Sequence, residues 1–385
     1  MVERLDPKTL PGVRFPAASR GQLILPSIPI KAPRRMTPKA KSNAAWRSKA
    51  TRIGELLPPA HLHPAVLAWA EKRHKTEVWS VAFSGGSDSV ALLLLLWAHW
   101  PTRRGSLVAL HFNHRLRGRE STADEMFCRK VCAALGIRLR VGRWARGGPA
   151  GDRKTRETVS EAEARTARHA FFSAEMNKLG SRGLWLGHQQ DDIAESILMR
   201  LARGSGLGGL AAPRPVHSLG NRRTHLRPLL TMKKAELVTV LRKIGVVWRE
   251  DRSNAAGYYF RNRVRDKVLP AWLKAAGRDG LAGAARSREL LEEDDAALEA
   301  WAGKLAVMGR GRKLDIQGFG ELPRAVTRRV LHRWLLAVRP DTDLSRQGFE
   351  LLLAVIERGK DTRFSLGRKG FAVIGDGQLF YKRGS

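Results

Sequence analysis

The sequence Ser84-Gly85-Gly86-Ser87-Asp88-Ser89 separates an apolar run at 79–83 from a second apolar run at 90–97. The first run suits a buried strand and the second a buried helix. A strand that turns through two glycines straight into a helix leaves few folds open. The glycines let backbone N–H groups converge, the serines add hydroxyls, and the helix start adds its partial positive charge. The result is an anion site suited to phosphates. Asp88 repels phosphate on its own, so it reads as a magnesium ligand or as an orienter of the turn. A serine-capped turn is the plainer reading of the same glycines, but it does not explain the apolar runs on both sides. No lysine follows the turn, so it is not the GxxxxGK[ST] loop that grips a terminal phosphate.

Downstream the same alternation continues. Strands are expected at 78–83, 107–112, 137–141, 184–187 and 225–229, with helices at 89–97, 121–135, 160–179 and 191–202. This predicts an α/β fold with a doubly wound parallel sheet, whose ligands bind beyond the carboxyl ends of the strands. From about residue 263 helices take over, at 263–276, 281–308 and 324–338, and a glycine-split stretch at 362–382 suggests a small hairpin. Three parts follow: a basic extension over 1–76, an α/β part over 77–262 that carries the anion-binding turn, and a smaller, mainly helical part over 263–385. The extension has no acidic residue between Pro7 and Gly54 and carries Pro11, Pro16, Pro26, Pro29, Pro33 and Pro38. That composition disfavours a core and predicts a disordered basic arm.

Charge narrows the partner. Seventy Lys and Arg against 36 Asp and Glu leave a formal +34, which favours a polyanion such as nucleic acid or an anionic membrane surface. The longest apolar run, 90–97, is far short of the roughly 20 residues that span a bilayer. Two cysteines, Cys128 and Cys132, exclude a disulfide framework and point to a reducing compartment, the cytoplasm. Four apart on an expected helix, they read as buried thiols, away from the strand-end motifs.

Those motifs are distinctive. After the second strand comes Leu110-His111-Phe112-Asn113-His114-Arg115-Leu116-Arg117, and later Glu161-Ala162-Glu163-Ala164-Arg165. Then come Leu186-Gly187-His188-Gln189-Gln190-Asp191-Asp192-Ile193-Ala194-Glu195-Ser196 and Arg203-Gly204-Ser205-Gly206-Leu207-Gly208-Gly209-Leu210. Arg227-Pro228-Leu229-Leu230, Glu250-Asp251-Arg252-Ser253-Asn254 and Arg261-Asn262-Arg263-Val264-Arg265 close the series. SGGxDS resembles the loop of PP-loop ATP pyrophosphatases, and the ordered set resembles the tRNA(Ile)-lysidine synthases among them. The residues Leu322-Pro323-Arg324-Ala325 and Arg328-Arg329-Val330-Leu331 resemble that family's helical substrate-binding domain more weakly. The chain departs from the family pattern at Arg115, Gln189, Ile193, Ser196 and Arg252.

The resemblance implies ATP with Mg2+ as cofactors, L-lysine and the CAU-anticodon isoleucine tRNA as substrates, and a homodimer as a candidate assembly. ATP would adenylate O2 of the wobble cytidine, and lysine would then attack C2 and displace AMP. Residues Ser84, Gly85, Gly86, Ser87, Asp88 and Ser89, with His111 and Asn113, would hold the nucleotide. Arg165 and Arg203 would stabilise charge on phosphorus, and His188 would touch phosphate or relay a proton. Asp191, Asp192 and Glu195 would hold the lysine ammonium or a metal. Arg261, Arg263, Arg265, Arg328 and Arg329 would meet RNA phosphates, and Trp248, Tyr258, Tyr259 and Phe260 either stack on bases or pack in the core. The plainer readings stay open: Asp191 and Asp192 suit a helix dipole, His111 and His114 a strand end, and the glycines at 204–209 a flexible connection. The competing functions are a PP-loop tRNA thiolase, a small-molecule synthetase using the same loop, and a non-catalytic RNA-binding relative.

Overall fold

The computed structural model describes residues 38–115, 118–144, 160–220, 222–250, 260–306, 309, 312–338, 344–367 and 370–384. The chain divides into a unit ending at Lys41 and a larger one from Ser42 that holds both sheets.

Six strands form the main sheet: β1 (Trp79–Ala82), β2 (Leu107–Asn113), β3 (Arg138–Arg143), β4 (Gly183–Trp185), β5 (Val216–Ser218) and β6 (Thr224–Leu226). Their order is β3-β2-β1-β4-β6-β5. All neighbours run parallel except the β5–β6 edge pair. The chain therefore winds to one side of β1 and then to the other, which puts the switch of direction beside β1. Helices cover the sheet: α1 (Pro38–Leu56), α2 (Pro64–Glu71), α3 (Ser87–His99), α4 (Arg119–Leu135), α5 (Glu161–Leu179), α6 (Gln190–Leu201), the short α7 (Leu207–Leu210) and α8 (Lys234–Lys243). The run read as a buried helix is α3, whose residues from Val90 to Leu96 have no exposed surface. An aromatic cluster joins β1 to β4, with the Trp79 and Trp185 rings 4.5 Å apart and Trp100 5.4 Å from Trp79.

The expectation of a coreless arm over 1–76 is corrected from Ser42 onward. Trp46, Ala50, Ile53 and Leu57 in and just after α1, then Leu62, Val66 and Ala70, are all buried in the same core as β1 and α3. The first four recur at helical spacing, so they form one apolar stripe despite the basic residues between them. Burying that stripe outweighs the prolines on which the expectation rested. Residues 1–37 lie outside the described residues.

The C-terminal part also differs from expectation. The helix expected over 263–276 is α9 (Phe260–Arg263), a π-turn at Val264–Val268 and α10 (Leu269–Ala276). α11 (Gly280–Leu305) follows, and Leu269, Leu281 and Ala284 pack on Ile193, Ala194 and Leu230 of the α/β part. The expected boundary at 262 thus falls inside α9, and α10 and α11 lean on α6. Beyond them α12 (Arg324–Val338) and α13 (Arg346–Glu357) build a second core with a small antiparallel sheet. That sheet has four strands, not a hairpin: β7 (Leu314–Asp315), β8 (Thr362–Ser365), β9 (Gly370–Gly375) and β10 (Gln378–Arg383), in the order β7-β10-β9-β8. No helix among the described residues is long and apolar enough to cross a membrane.

Candidate active site

The turn at 84–89 sits where the sequence puts it, between β1 and α3. Gly85 has φ +91°, and a side chain there would also press on Cys128 Sγ and the Phe127 ring, both 3.2 Å from where its Cβ would lie. Ser89 ties the turn together: its Oγ accepts from Gly85 N–H at 3.1 Å and donates to the Gly86 carbonyl at 3.0 Å. α3 has Gly86 as its N-cap with no side-chain cap. Its first-turn N–H groups therefore remain open for an anion. The loop after β4 packs directly on this helix start, since a Cβ on Gly187 would lie 3.0 Å from the Asp88 carbonyl carbon and oxygen. Arg249 closes the other side. Its N–H donates to Gly85 O at 2.8 Å and its Nε to Asp124 at 2.6 Å.

This turn forms one wall of an open cleft of about 2360 Å³ along the carboxyl ends of β1, β2, β4 and β6. Of the residues singled out from sequence, Ser84, Gly86, Asp88, Ser89, His111, Asn113, Arg165, His188, Asp192, Arg261 and Arg265 line it. Burial, with Asp192 and Asp191 nearby, pushes the Asp88 carboxyl above its ordinary value, while Lys234 pulls it down. Among the described residues its side chain accepts one hydrogen bond, from Ser87 Oγ at 3.1 Å. A hard, half-buried carboxylate at the mouth of a phosphate-binding turn fits Mg2+, which takes one or two carboxylates and completes its shell with phosphate oxygens and water. No group of three metal-ligating side chains occurs among the described residues.

His111 Nδ1 lies 2.9 Å from the Phe83 carbonyl, which makes it the protonated nitrogen. Burial holds the ring neutral, and its buried Nε2 has no partner among the described residues. Asn113 is different. Its Nδ2 donates to Ser121 O and Glu125 Oε2, both at 3.1 Å, and its Oδ1 accepts from Arg115 N–H at 2.9 Å. The amide is spent on holding β2 to α4, so Asn113 shapes the wall rather than offering a free group. Glu125 also takes Arg143 and Arg129, and those bonds pull its pKa down to about 2.

The acids of α6 carry a second surprise. Gln189, which stands where the family has a histidine, caps α6: its Oε1 accepts from Asp191 N–H at 2.6 Å, and its own N–H donates to Asp192 Oδ2 at 3.0 Å. Asp191 accepts from Lys234 N–H at 3.0 Å. Asp192 and Glu195 then bind the arginines expected on RNA. Arg261 reaches Asp192 Oδ1 at 2.5 Å and Glu195 Oε2 at 2.8 Å, and Arg265 reaches Glu195 Oε1 at 2.7 Å. Glu195 is 2% exposed. Arg261 and Arg265 are therefore corrected from free phosphate-binding cations to partners of buried acids, while Arg263 is exposed beside the Phe260 ring. Ile193, in place of the family's glutamine, is buried against Leu230, Leu269 and Leu281.

The remaining assignments scatter. Arg203 does not line the cleft; its guanidinium stands 5.9 Å from the Phe260 ring, and Arg200 lines the cleft instead. Arg329 is paired with Asp295 at 2.8 Å and Glu299 at 3.2 Å, and Arg328 with Glu350 at 3.3 Å. Neither is a free RNA contact. Trp248 packs against the main core, and Tyr258 and Tyr259 lie outside the described residues. Cys128 is not remote: its Sγ is 3.5 Å from His111 Nδ1, beneath the turn. Burial pushes its thiol far up and that of Cys132 up to about 12, so neither is a thiolate at neutral pH.

Sequence reading missed the cleft's far wall. Arg168, His169, Arg214, His217, His225 and Arg227 line it. Desolvation and neighbouring arginines lower His169 to about 4, and desolvation with Arg227 lowers His225 to about 3. Burial, then Arg165, lowers Arg227 to about 10. His188 is driven well below its ordinary value by burial, Arg227 and Arg261, and its buried Nδ1 has no partner among the described residues. The available signal was positional: Arg227 directly follows the last parallel strand, and Arg168 comes one turn after Arg165.

Comparison with known proteins agrees with this geometry. A family model described as a PP-loop domain matches residues 60–272, and one described as a TilS substrate binding domain matches 314–380. Curated relatives include the tRNA(Ile)-lysidine synthases of Geobacter sulfurreducens (34% identical over 71% of this chain and 58% of that one) and Xanthomonas campestris pv. campestris strain 8004 (35%, 74% and 64%). That of a Bacillus cereus strain is 37% identical over 52% of this chain and 40% of its own. The chain thus spans less than two thirds of the length of these relatives. The matched 60–272 region takes in the whole parallel sheet from β1 to β6, the glycine-serine turn and both walls of the cleft beside it, and by that match the chain belongs to the PP-loop domain family.

Proposed function

We propose that this protein joins L-lysine to C2 of the wobble cytidine of the CAU-anticodon isoleucine tRNA, using ATP and releasing pyrophosphate and AMP. The observation that carries the reading is the turn itself: open N–H groups at the start of α3, with Asp88 beside them, at the head of a cleft wide enough for a nucleotide and a splayed-out base. In the first step cytidine O2 bonds to the α-phosphorus and the bond to the β-phosphate oxygen breaks. In the second, the lysine amine bonds to C2, and the C2–O bond breaks as AMP leaves with that oxygen.

Residues 84–89 hold the phosphates, and Asp88 would hold Mg2+, which when bound neutralises phosphate charge and orients pyrophosphate for departure. The attacking amine must lose a proton. His188, held neutral by burial and by Arg227, lines the cleft, and its buried Nδ1, without a partner among the described residues, would accept a hydrogen bond that orients the amine, while the proton itself passes to solvent. Asp192 and Glu195 form a receptor for cationic groups, as their grip on Arg261 and Arg265 illustrates. A lysine ammonium would compete for the same oxygens. The expected compartment is the cytoplasm.

The test is incubation with ATP, labelled lysine and tRNA transcripts, followed by nucleoside mass analysis. Lysidine in the CAU isoleucine tRNA alone, with one AMP per lysine, is expected. RNA free of label despite tRNA-dependent pyrophosphate release would overturn lysine as the second substrate. A sulfur-shifted nucleoside formed when sulfide replaces lysine would move the protein to the thiolases.

A further inference from the structure

Four of the cleft's arginines are held by carboxylates: Arg261 and Arg265 by Asp192 and Glu195, Arg214 by Asp295, and Arg249 by Asp124. Among the described residues half-buried Arg200 donates only to the Gly209 carbonyl, and Arg227 is more deeply buried still. It is only 8% exposed, yet among the described residues it makes no ion pair. Among the described residues its side chain makes one hydrogen bond, from Nη1 to the Arg214 carbonyl at 2.7 Å, and its buried Nε has no partner. Asp192 is the acid whose field reaches it, but both oxygens of Asp192 are already engaged, by Arg261 and by the Gln189 N–H.

An unpaired buried guanidinium is costly, because its hydration is lost and nothing replaces it. The neighbours do not relieve the cost. His188, His217 and His225 each feel Arg227 as a repelling cation and are held neutral. Arg165 adds a further positive charge from α5. A wall that gathers cations and neutral imidazoles, with its acids engaged elsewhere, is built for an anion that arrives from outside. Guanidinium and imidazole N–H groups together suit the oxygens of a phosphate.

We propose that Arg227 is the centre of a second phosphate subsite, in the same cleft as the glycine-serine turn, which takes a phosphate group of a nucleotide. The inference rests on reading the cleft as a nucleotide site, not on the identity of the amino acid transferred. Two sources carry that chemistry: the α-phosphate of bound ATP, and a phosphodiester of an RNA strand lying across the cleft. Arg227 lies in the motif Arg227-Pro228-Leu229-Leu230, and Pro228 at the start of the following turn fixes the backbone just after the arginine.

The test uses the full chain with Arg227→Met, which keeps the apolar stem and removes the charge. Binding is measured without lysine or turnover, to an α,β-methylene ATP analogue and separately to a 5′-hydroxyl anticodon stem-loop RNA. The expected result is a 10- to 100-fold loss for at least one ligand, with a melting temperature in the absence of ligand no lower than that of the unsubstituted protein. Loss for the ATP analogue alone assigns the α-phosphate, loss for RNA alone assigns the backbone, and loss for both assigns the phosphate shared by the adenylate. An RNA source also predicts that the slope of log Kd against log salt falls by about 0.7, the single-strand value per phosphate contact. Affinities for both ligands within twofold of the unsubstituted protein overturn the proposal. If Arg227→Met does not fold, Arg227→Lys serves: it keeps the charge but loses the planar fork, so about a fivefold loss supports the subsite and unchanged binding of both ligands overturns it. Because wild-type lysine transfer is assayed separately, failure here leaves that reading standing, and the reverse also holds.

Discussion

Two stretches of this chain carry arginines into one cleft and use them in opposite ways. In the α9 segment, Arg261 and Arg265 are saturated by Asp192 and Glu195, and their charge is consumed in fastening the C-terminal helices to α6. At the end of β6, Arg227 is more deeply buried and, among the described residues, forms no ion pair. The first arrangement can satisfy itself before any ligand binds. The second cannot, and its cost falls when an anion enters. Arginine content alone does not locate the RNA or the nucleotide; the supply of acids does.

The contrast is tested hardest at Glu195. Glu195→Ala should strand the half-buried Arg265 and leave Arg261 with Asp192 alone, and cost about 3 kcal/mol, seen as a large drop in denaturation midpoint with unchanged m-value. A loss under about 1 kcal/mol would mean that Arg261 and Arg265 have other anchors. Next in size is RNA binding. Arg263→Ala, on an exposed arginine, should lower the salt slope of tRNA binding by about 0.7–0.9. Arg265→Ala should leave that slope unchanged while reducing stability, and the opposite pattern would return Arg265 to the RNA surface. The third effect is on pH. His169 and His225 titrate near 4 and near 3 in the folded chain, below their unfolded value of 6.5. The unfolded chain therefore binds more protons between those limits, so stability is complete above about pH 6.5 and is lost as pH falls toward 4. Saturating nucleotide should flatten that loss. A profile flat from pH 7 to 4.5 without ligand would show that the histidine wall is more hydrated than its burial implies.

Much of the α/β part was legible because its signals are local. The apolar runs at β1 and α3, the turn between them and the strand–helix alternation are all short-range patterns, and each element formed within a few residues of its expected place. α1 was missed because its stripe of Trp46, Ala50, Ile53 and Leu57 is diluted by basic residues and preceded by prolines. The edge strand β5 is three residues long with none buried, unlike the equally short β4 and β6, and β7 has only two residues, so neither carries an apolar run. In the site, sequence order could place Asp88, His188 and Asp192 at strand ends. It could not pair them. That Asp192 and Glu195 hold Arg261 and Arg265 depends on α9 crossing α6, a tertiary fact with no local trace. Gln189 shows the converse: a departure from the family pattern became intelligible once its side chain was seen capping α6.

If the proposed reaction is right, the turn at 84–89 presents the α-phosphate of ATP to an RNA base. The decisive experiment follows the products of α-labelled ATP, with and without tRNA, for the unsubstituted protein and for Asp88→Ala. AMP and pyrophosphate should form only when tRNA is present, and their formation should fall by at least about a hundredfold in Asp88→Ala with the melting temperature preserved. ADP and phosphate as products, or full turnover in Asp88→Ala, would refute that role for the turn.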